Sequence, residues 1–378
     1  MASSVPRIDF VRETLRARPR TWLITGAAGF IGSHLVEHLL RLGQRVRGLD
    51  DFSTGHAHNL AEVQSAVGAK EWSGFEFLKG DIRDLTLCRR ACAGMDYVLH
   101  HAALGSVPLS IEDPLRTQEV NVRGTLHVLQ AAREGGVKRF VYASSSAVYG
   151  DIDGESMMED RIGRPLSPYA ASKRMNEIDA DVYSRCYGLG TVGLRYFNVF
   201  GSRQDPNGAY AAVIPKWIRA LLQGEPVEIF GDGGTTRDFC FIENVVQANL
   251  LAATGTVDAG ASPVCNIACG ERTSLNQLFT MLRDLLAASC EPERRSPTRH
   301  SPDSKQAGSE TGAPSRGGGV EAPTLAKRLP QYRDFRAGDV RHSRADITRA
   351  REQLGYAPKH GVADGLRSAL EWYRSHGI

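Results

Sequence analysis

The sequence predicts an α/β fold: a doubly wound parallel sheet followed by a smaller C-terminal α/β domain. Two patterns carry this expectation. Short apolar runs alternate with helical stretches through residues 1–200, as parallel strands joined by crossover helices do. The first run, Thr21-Trp22-Leu23-Ile24-Thr25, leads straight into Gly26-Ala27-Ala28-Gly29-Phe30-Ile31-Gly32, and an apolar-periodic helix follows from Ile31 to Leu42. Strand, glycine turn and helix N-terminus together make a phosphate-binding cradle.

The chain has 378 residues, 42% hydrophobic and 24% charged, the balance of a soluble globular protein with room for a large core. A net charge of +3 is too weak to argue for a nucleic-acid partner. No apolar run is long enough to span a bilayer, so no membrane is expected. The seven cysteines are scattered, and Cys265 and Cys269 lack a second pair to complete a zinc site. Free thiols in a reducing cytoplasm are the expected state. Residues 1–20 carry charges throughout, unlike a secretory signal, and Asp9 and Glu13 argue against a transit peptide. A short amphipathic helix lying on the domain is expected there.

In the glycine turn, Gly26 makes the tight bend, Gly29 admits a pyrophosphate to the backbone, and Gly32 permits close packing of helix on strand. Phe30 and Ile31 open the helix at the same point. The second strand, Arg45 to Asp50, ends in an acid placed to bind ribose hydroxyls and to repel a 2′-phosphate, so NAD is favoured over NADP. Asp51, Ser53, Thr54 and Gly55 continue along the adenosine ribose. A third strand, Phe75 to Ile82, brings Asp81 and Ile82 to the adenine. A fourth, Tyr97 to His100, runs into His101, Ala102, Ala103, Leu104, Gly105 and Ser106. Small residues there suit close passage of a cofactor, with His100 and His101 read chiefly as strand-end packing. Asn121 lies on a long helical stretch, 114–134. The fifth strand, Arg139 to Ala143, delivers Ser144, Ser145 and Ser146 at the edge where open α/β sheets bind ligands.

Tyr169 and Lys173 are four apart and share a helix face. An ammonium beside a phenol stabilises the phenolate. A tyrosine titrates near ~10, so acting as a base near neutrality needs a fall of about 3 pH units, about 4 kcal/mol. One lysine is not expected to supply all of it, so a second positive charge is wanted.

The second half holds a sixth strand, Thr191 to Tyr196, then Asn198, the segment Ala212-Val213-Ile214-Pro215, Trp217, Ile229, Arg237, Arg336, Asp339 and Ser343. Residues 239–268 read as a return to the sheet. Arg237 and Arg336, each beside glycines and an acid, suit a bidentate diphosphate clamp, though arginines so placed also serve as surface ion pairs. Residues 291–325 are rich in Pro, Ser, Gly and Arg and read as a flexible insert. The expected division is a nucleotide-binding domain at 1–200 with the return at 239–268, and a second domain from 201–238 and 269–378.

Gly26-x-x-Gly29-x-x-Gly32, Asp50, Gly80-Asp81-Ile82, the serine triplet, Tyr149-Gly150 and Tyr169-x-x-x-Lys173 together resemble the extended short-chain dehydrogenase/reductase family. Its dinucleotide-binding domain has the Rossmann fold. Within it, nearly the whole chain is similar to the nucleotide-sugar branch, and to the UDP-N-acetylglucosamine 4-epimerases in particular. The resemblance implies NAD as cofactor, its cationic nicotinamide being the missing charge beside Tyr169, with Lys173 also binding the nicotinamide ribose and Asn121 and Tyr196 among its further contacts. It implies a UDP-sugar substrate epimerised at C4 through a 4-keto sugar, with Tyr169 as base, Ser145 on O4 and Ser146 on the sugar. Asn198, Arg237 and Arg336 would hold the diphosphate, Ala212, Val213 and Ile229 would border the uracil, and Trp217 and Asp339 would be further substrate contacts. Gly105, Ser106, Ala212, Asn198 and Ser343 would line the sugar pocket, Ser343 leaving room for an acetamido group. A homodimer through helices 114–134 and 168–187 is also implied.

The chain departs from the pattern at Ala147, where close relatives often carry a third hydroxyl, and at Glu228 and Phe230 beside the uracil. Ala147-Val148 stand where a 4,6-dehydratase needs an Asp-Glu pair, so elimination lacks its acid. UDP-Glc/UDP-Gal and N-acetylhexuronate epimerisation stay open, the latter because Arg341 and His342 suit a carboxylate. A non-catalytic NAD-binding sensor is the alternative outside enzymes.

Overall fold

The computed structural model describes residues 7–152, 156–207, 211–258, 260–290, 328–335 and 341–377. The predicted insert and the positions Arg336 and Asp339 lie outside them. Seven strands form one wholly parallel sheet. Their order is Val264–Ile267, Thr191–Tyr196, Arg139–Ser145, Tyr97–His100, Thr21–Thr25, Arg45–Asp50 and Phe75–Lys79. The chain winds outward in both directions from Thr21–Thr25, which pairs with Arg45–Asp50 on one side and Tyr97–His100 on the other. The sheet is therefore doubly wound, as the sequence predicts. Trp22, Leu23 and Ile24 are wholly buried, which is why this run is continuously apolar.

The switch point lies between Thr21–Thr25 and Tyr97–His100, and ligands bind outside the carboxyl ends of such strands. The two loops there touch: a Cβ on Gly26 would meet the Ala102 nitrogen at 2.8 Å. Gly26 also has φ +72°, so a side chain is excluded twice over.

Element bounds differ from expectation in three places. The third strand stops at Lys79, with Asp81 and Ile82 in the turn beyond. The fifth extends to Ser145, so Ser144 and Ser145 are strand residues. The helical stretch 114–134 is not uniform: Pro114–Gln118 is followed by a π-helical turn at Glu119–Gly124, then by Thr125–Glu134. Gly124 in that turn lies so close to Ile82 that a Cβ would sit 2.6 Å from its side chain. Such turns recur at functional sites.

The return is real: Val264–Ile267 pairs with Thr191–Tyr196 at the sheet edge, and the helix Ile242–Thr254 is mostly buried behind it. Small ladders gather beyond this edge. Thr236–Arg237 pairs with Thr273–Ser274 and bridges to His342; Glu228–Phe230 pairs with Gln331–Arg333. They bring residues a hundred positions apart to the carboxyl end of the sheet. The N-terminal helix Ile8–Ala17 forms as expected, burying Ile8, Val11 and Leu15. Cys88, Cys92, Cys186, Cys240, Cys265 and Cys269 are free thiols. Among the described residues no helix is long and apolar enough to cross a membrane.

Candidate active site

The glycine turn is a shaped cradle. A Cβ on Gly32 would lie 1.9 Å from the Gly26 carbonyl oxygen, so only glycine lets the helix Phe30–Arg41 start this close to the strand. Asp50 is buried beside it. Its Oδ2 accepts from the Ala28 amide (2.9 Å) and its Oδ1 from the Phe52 amide (2.8 Å), which fixes the carboxylate at the strand end. Burial pushes its pKa up from the ordinary value, against those two hydrogen bonds. A small cavity of about 70 Å³ is lined here by Asp50, Asp51, Ser53, Thr54, Asp81 and Ile82, among others. It shares Gly26, Gly29, Thr54, His101 and Ala103 with a main cavity of about 950 Å³. Phe30, Ile31, Ser145, Ser146, Tyr169, Lys173 and Tyr196 line the main cavity.

The helix Pro168–Tyr187 carries Tyr169 and Lys173 against the end of the fifth strand. Ser167 caps it, its hydroxyl accepting from the Ala170 amide. Lys173 Nζ donates to the Ala143 carbonyl (2.9 Å) and stands 5.9 Å from the centre of the Tyr169 ring. Burial lowers its pKa to about 8. Desolvation raises the Tyr169 phenol above its ordinary value, and a hydrogen bond with Ser145 pulls it back. The ammonium is aimed at a backbone carbonyl, and the protein's own groups leave the phenol above its ordinary value, so the second positive charge is still wanted. Ser145 Oγ also accepts from the Ala147 amide (3.1 Å), so its position is fixed.

His100 is buried between the hydroxyls of Thr25 and Thr125, at 2.7 and 2.9 Å, and is a packing residue as expected. His101 lines both cavities instead. Its Nε2 meets Asn249 Oδ1 at 3.1 Å, its ring stacks on Tyr196, and burial lowers its pKa to about 4. It is therefore neutral.

At the far end the main cavity reaches Asn198, Arg237 and Ser343. Asn198 and Arg237 also line a second cavity of about 650 Å³, with Ala212, Val213, Trp217, Glu228 and Phe230. The two residues stand at the junction of the two spaces. Behind them Asp238 is fully buried and accepts from the amides of Cys269 (3.0 Å), Gly270 (3.0 Å) and Ala345 (3.2 Å). The Ser343 amide donates to the Thr236 carbonyl at 3.2 Å, which sets Ser343 beside Arg237.

A cradle closed to side chains, an acid at the second strand end and a tyrosine–lysine pair at the carboxyl edge recur in one enzyme family. The model of the NAD dependent epimerase/dehydratase family matches residues 22–268. The chain belongs to that family. NAD is its cofactor, and the observed cradle and the anchored Asp50 carboxylate fit that group.

This epimerase/dehydratase is 37% identical to a UDP-glucose 4-epimerase of Mycolicibacterium smegmatis over 355 residues, 93% of this chain and 98% of the relative. It matches the crystal structure of UDP-glucose 4-epimerase from Thermotoga maritima with UDP-glucose, at 33% identity and TM-score 0.77, covering 94% of this chain and 99% of that one. It also matches UDP-N-acetylglucosamine 4-epimerase from Methanobrevibacter ruminantium in complex with UDP-N-acetylmuramic acid. There the identity is 32%, the TM-score 0.78 and the coverage 95% and 99%.

Several expected site residues of this epimerase/dehydratase do other work. Asn121 is sealed from the cavities: it binds the Leu104 backbone (2.8 and 3.1 Å) and Ser172 Oγ (3.1 Å). It ties the loop after the fourth strand to the tyrosine helix, and Leu104 itself is buried. Gly55 packs on Ala28 instead of lining a cavity. Ser106 caps the helix Val107–Glu112 through the Leu109 amide. Ile229 points into the core, because alternation along Glu228–Phe230 sends Glu228 and Phe230 to the cavity. Gly105 and Ala102–Ala103 line cavities as expected. Sequence reasoning missed Val107, Ile111, Met157 and Leu166, which line the main cavity. Leu166 stands just before the tyrosine helix, a usable signal. Met157 had none, since it is placed by its bridge to Ala345.

Proposed function

We propose that this enzyme interconverts UDP-N-acetylglucosamine and UDP-N-acetylgalactosamine by inverting C4. The observation that carries the reading is Ser343, small and buried, on the wall of the cavity that holds Tyr169 and Ser145. A small residue there leaves volume for a 2-acetamido group. Among the described residues, the charged side chains lining this cavity are Lys173 and Arg237. Both have other tasks in this reading, so no described cation is left for a sugar carboxylate. Arg341 instead stacks on Phe335, and His342 meets the Thr236 hydroxyl, which favours a neutral sugar over a hexuronate.

NAD+ bound in the groove supplies a reversible two-electron acceptor for the C4 hydrogen and the positive charge the phenol lacks. Gly26, Gly29 and Gly32 would hold its pyrophosphate, Asp50 its adenosine ribose and Lys173 its second ribose. Tyr169 takes the 4-OH proton as that charge brings its pKa down, and Ser145 orients O4 through its bond to the phenol. Asn198 and Arg237 grip the diphosphate while the 4-keto sugar turns its other face. Tyr169 then returns the proton. Arg336 and Asp339 belong to the same proposal. So does the division into a nucleotide-binding unit (1–200 and 239–268) and a sugar-binding unit (201–238 and 269–378).

A homodimer is part of the reading. Leu115, Leu126, Met175, Ile178 and Val182 are exposed apolar residues on the two helical stretches expected to pair.

The test is NMR of the purified protein with UDP-GlcNAc, UDP-Glc and UDP-GlcNAcA in parallel. The 4-epimer is expected to form fastest from UDP-GlcNAc. Faster conversion of either other sugar would overturn the substrate assignment and leave the family standing.

A further inference from the structure

The helix that opens on the glycine turn carries His34-Leu35-Val36-Glu37-His38 on its way out of the site. His34 and His38 are four apart and share a face. Glu243, in the first turn of the helix Ile242–Thr254, meets that face. One ligand atom from each of the three lies within 4.8 Å of the others.

The hydrogen bonding around His38 needs a cation. Its Nδ1 is 2.8 Å from the His34 carbonyl oxygen, so Nδ1 carries the hydrogen. A neutral ring then has a bare lone pair at Nε2. That atom is 3.0 Å from Glu243 Oε2, another acceptor. Either a second proton or a metal ion has to lie between them. A backbone carbonyl behind the non-ligating nitrogen is also what orients metal-bound imidazoles. His34 is oriented in the same way: its Nε2 donates to the Ser202 carbonyl at 3.0 Å, with the Ser202 hydroxyl at 3.3 Å, which leaves Nδ1 as its ligating nitrogen. The neighbouring cation, Arg203, is matched by Glu37 and Glu62, which leaves the Glu243 carboxylate available.

We propose that His34, His38 and Glu243 form a divalent transition-metal site of the zinc class. Two imidazoles and one carboxylate are a borderline donor set that suits Zn²⁺ and its neighbours better than Mg²⁺ or Ca²⁺. Bonds of about 2.0–2.1 Å require the three atoms to close in by modest side-chain rotation. His38 and Glu243 keep part of their side chains exposed, which leaves an entry path. None of the three residues lines the main cavity, so the ion is structural. It staples the cofactor-turn helix to the helix Ile242–Thr254, away from the cavity, and its absence lowers stability without removing a reacting group.

The experiment uses the full chain, stripped with chelator and titrated with Zn²⁺. Bound metal is counted by mass spectrometry and stability is followed by thermal unfolding. About one equivalent is expected, with a rise in Tm; Co²⁺ in its place should give visible bands of a low-symmetry site. His38→Asn and Glu243→Gln should each weaken Zn²⁺ binding by at least about tenfold. Both variants should keep their circular dichroism and epimerase activity. Either variant suffices if the other misfolds. No saturable binding, or binding unchanged in both variants, would overturn the site and leave His38–Glu243 as a protonated ion pair.

Discussion

Ser144 Oγ donates a 2.6 Å hydrogen bond to Glu177 Oε1, one rung of a clamp between the fifth strand and the tyrosine helix. Three consecutive strand residues meet three positions spaced four apart on the helix. Ala143 receives Lys173, Ser144 meets Glu177, and Ser145 bonds Tyr169. Glu177 is itself locked by Arg195, at 2.8 and 2.9 Å, and by Arg174. The clamp fixes Ser145 beside Tyr169.

Glu177→Gln should expose the strength of this clamp. Arg195 would be left buried without its full counter-charge, which costs about 3–5 kcal/mol when one partner of a buried pair is removed. Denaturant unfolding is expected to show a loss of that order, with NAD still bound by the folded fraction. An unchanged unfolding free energy would mean that the pair adds nothing to stability.

Tyr169→Phe keeps the ring and removes the proton acceptor. A fall in kcat of about 10²–10⁴ is expected, the range supplied by a positioned acid–base group. KM for the UDP-sugar and NAD content should change little. A loss confined to KM would assign the phenol to binding instead of proton transfer.

The elements of this site that could be read from the chain were those whose reason is local. A glycine that must bend at +72°, an acid at a strand end and two side chains one helical turn apart leave their mark within a few residues. Asn121 was misread because its partners, Leu104 and Ser172, are 17 and 51 positions away. Asp238 went unnoticed as an anchor because it gathers amides from 31 and 107 positions away. Ile229 was misplaced by one step of strand alternation, where a single residue decides between core and cavity. The π-helical turn at Glu119–Gly124 has no periodicity signature, since close approach of Gly124 to Ile82 comes from tertiary packing.

Ser343→Tyr tests the sugar pocket. The cavity wall at this point also holds Met157, whose sulfur is 3.8 Å from the serine hydroxyl. A tyrosine would fill the space assigned to the acetamido group. Activity on UDP-GlcNAc should fall at least about tenfold more than on UDP-Glc, a difference of about 1.4 kcal/mol between the two transition states. Equal losses on the two sugars would remove the argument from volume.

Asp238 gives the site a pH dependence of stability whose sign is fixed. Burial raises its carboxyl to about 6 in the folded protein, from an ordinary 3.8, even though three backbone amides favour the charged form. The folded protein therefore holds the proton more tightly than the unfolded chain does. Its contribution to stability is complete below the unfolded value and is lost as pH rises through about 6. Asp238→Asn cannot titrate, so the difference in unfolding free energy between wild type and variant should shift between pH 4 and pH 6, with wild type losing ground as pH rises. At neutral pH the variant should still be the less stable by about 1–3 kcal/mol, because an amide cannot accept from three N–H groups with both of its heavy atoms. Arg237 and Ser343 would lose their shared support, so KM for the UDP-sugar should rise. A wild-type-minus-variant difference that is flat from pH 4 to pH 6 would show that Asp238 is ionised throughout that range, and that its three amides outweigh the cost of burying the charge.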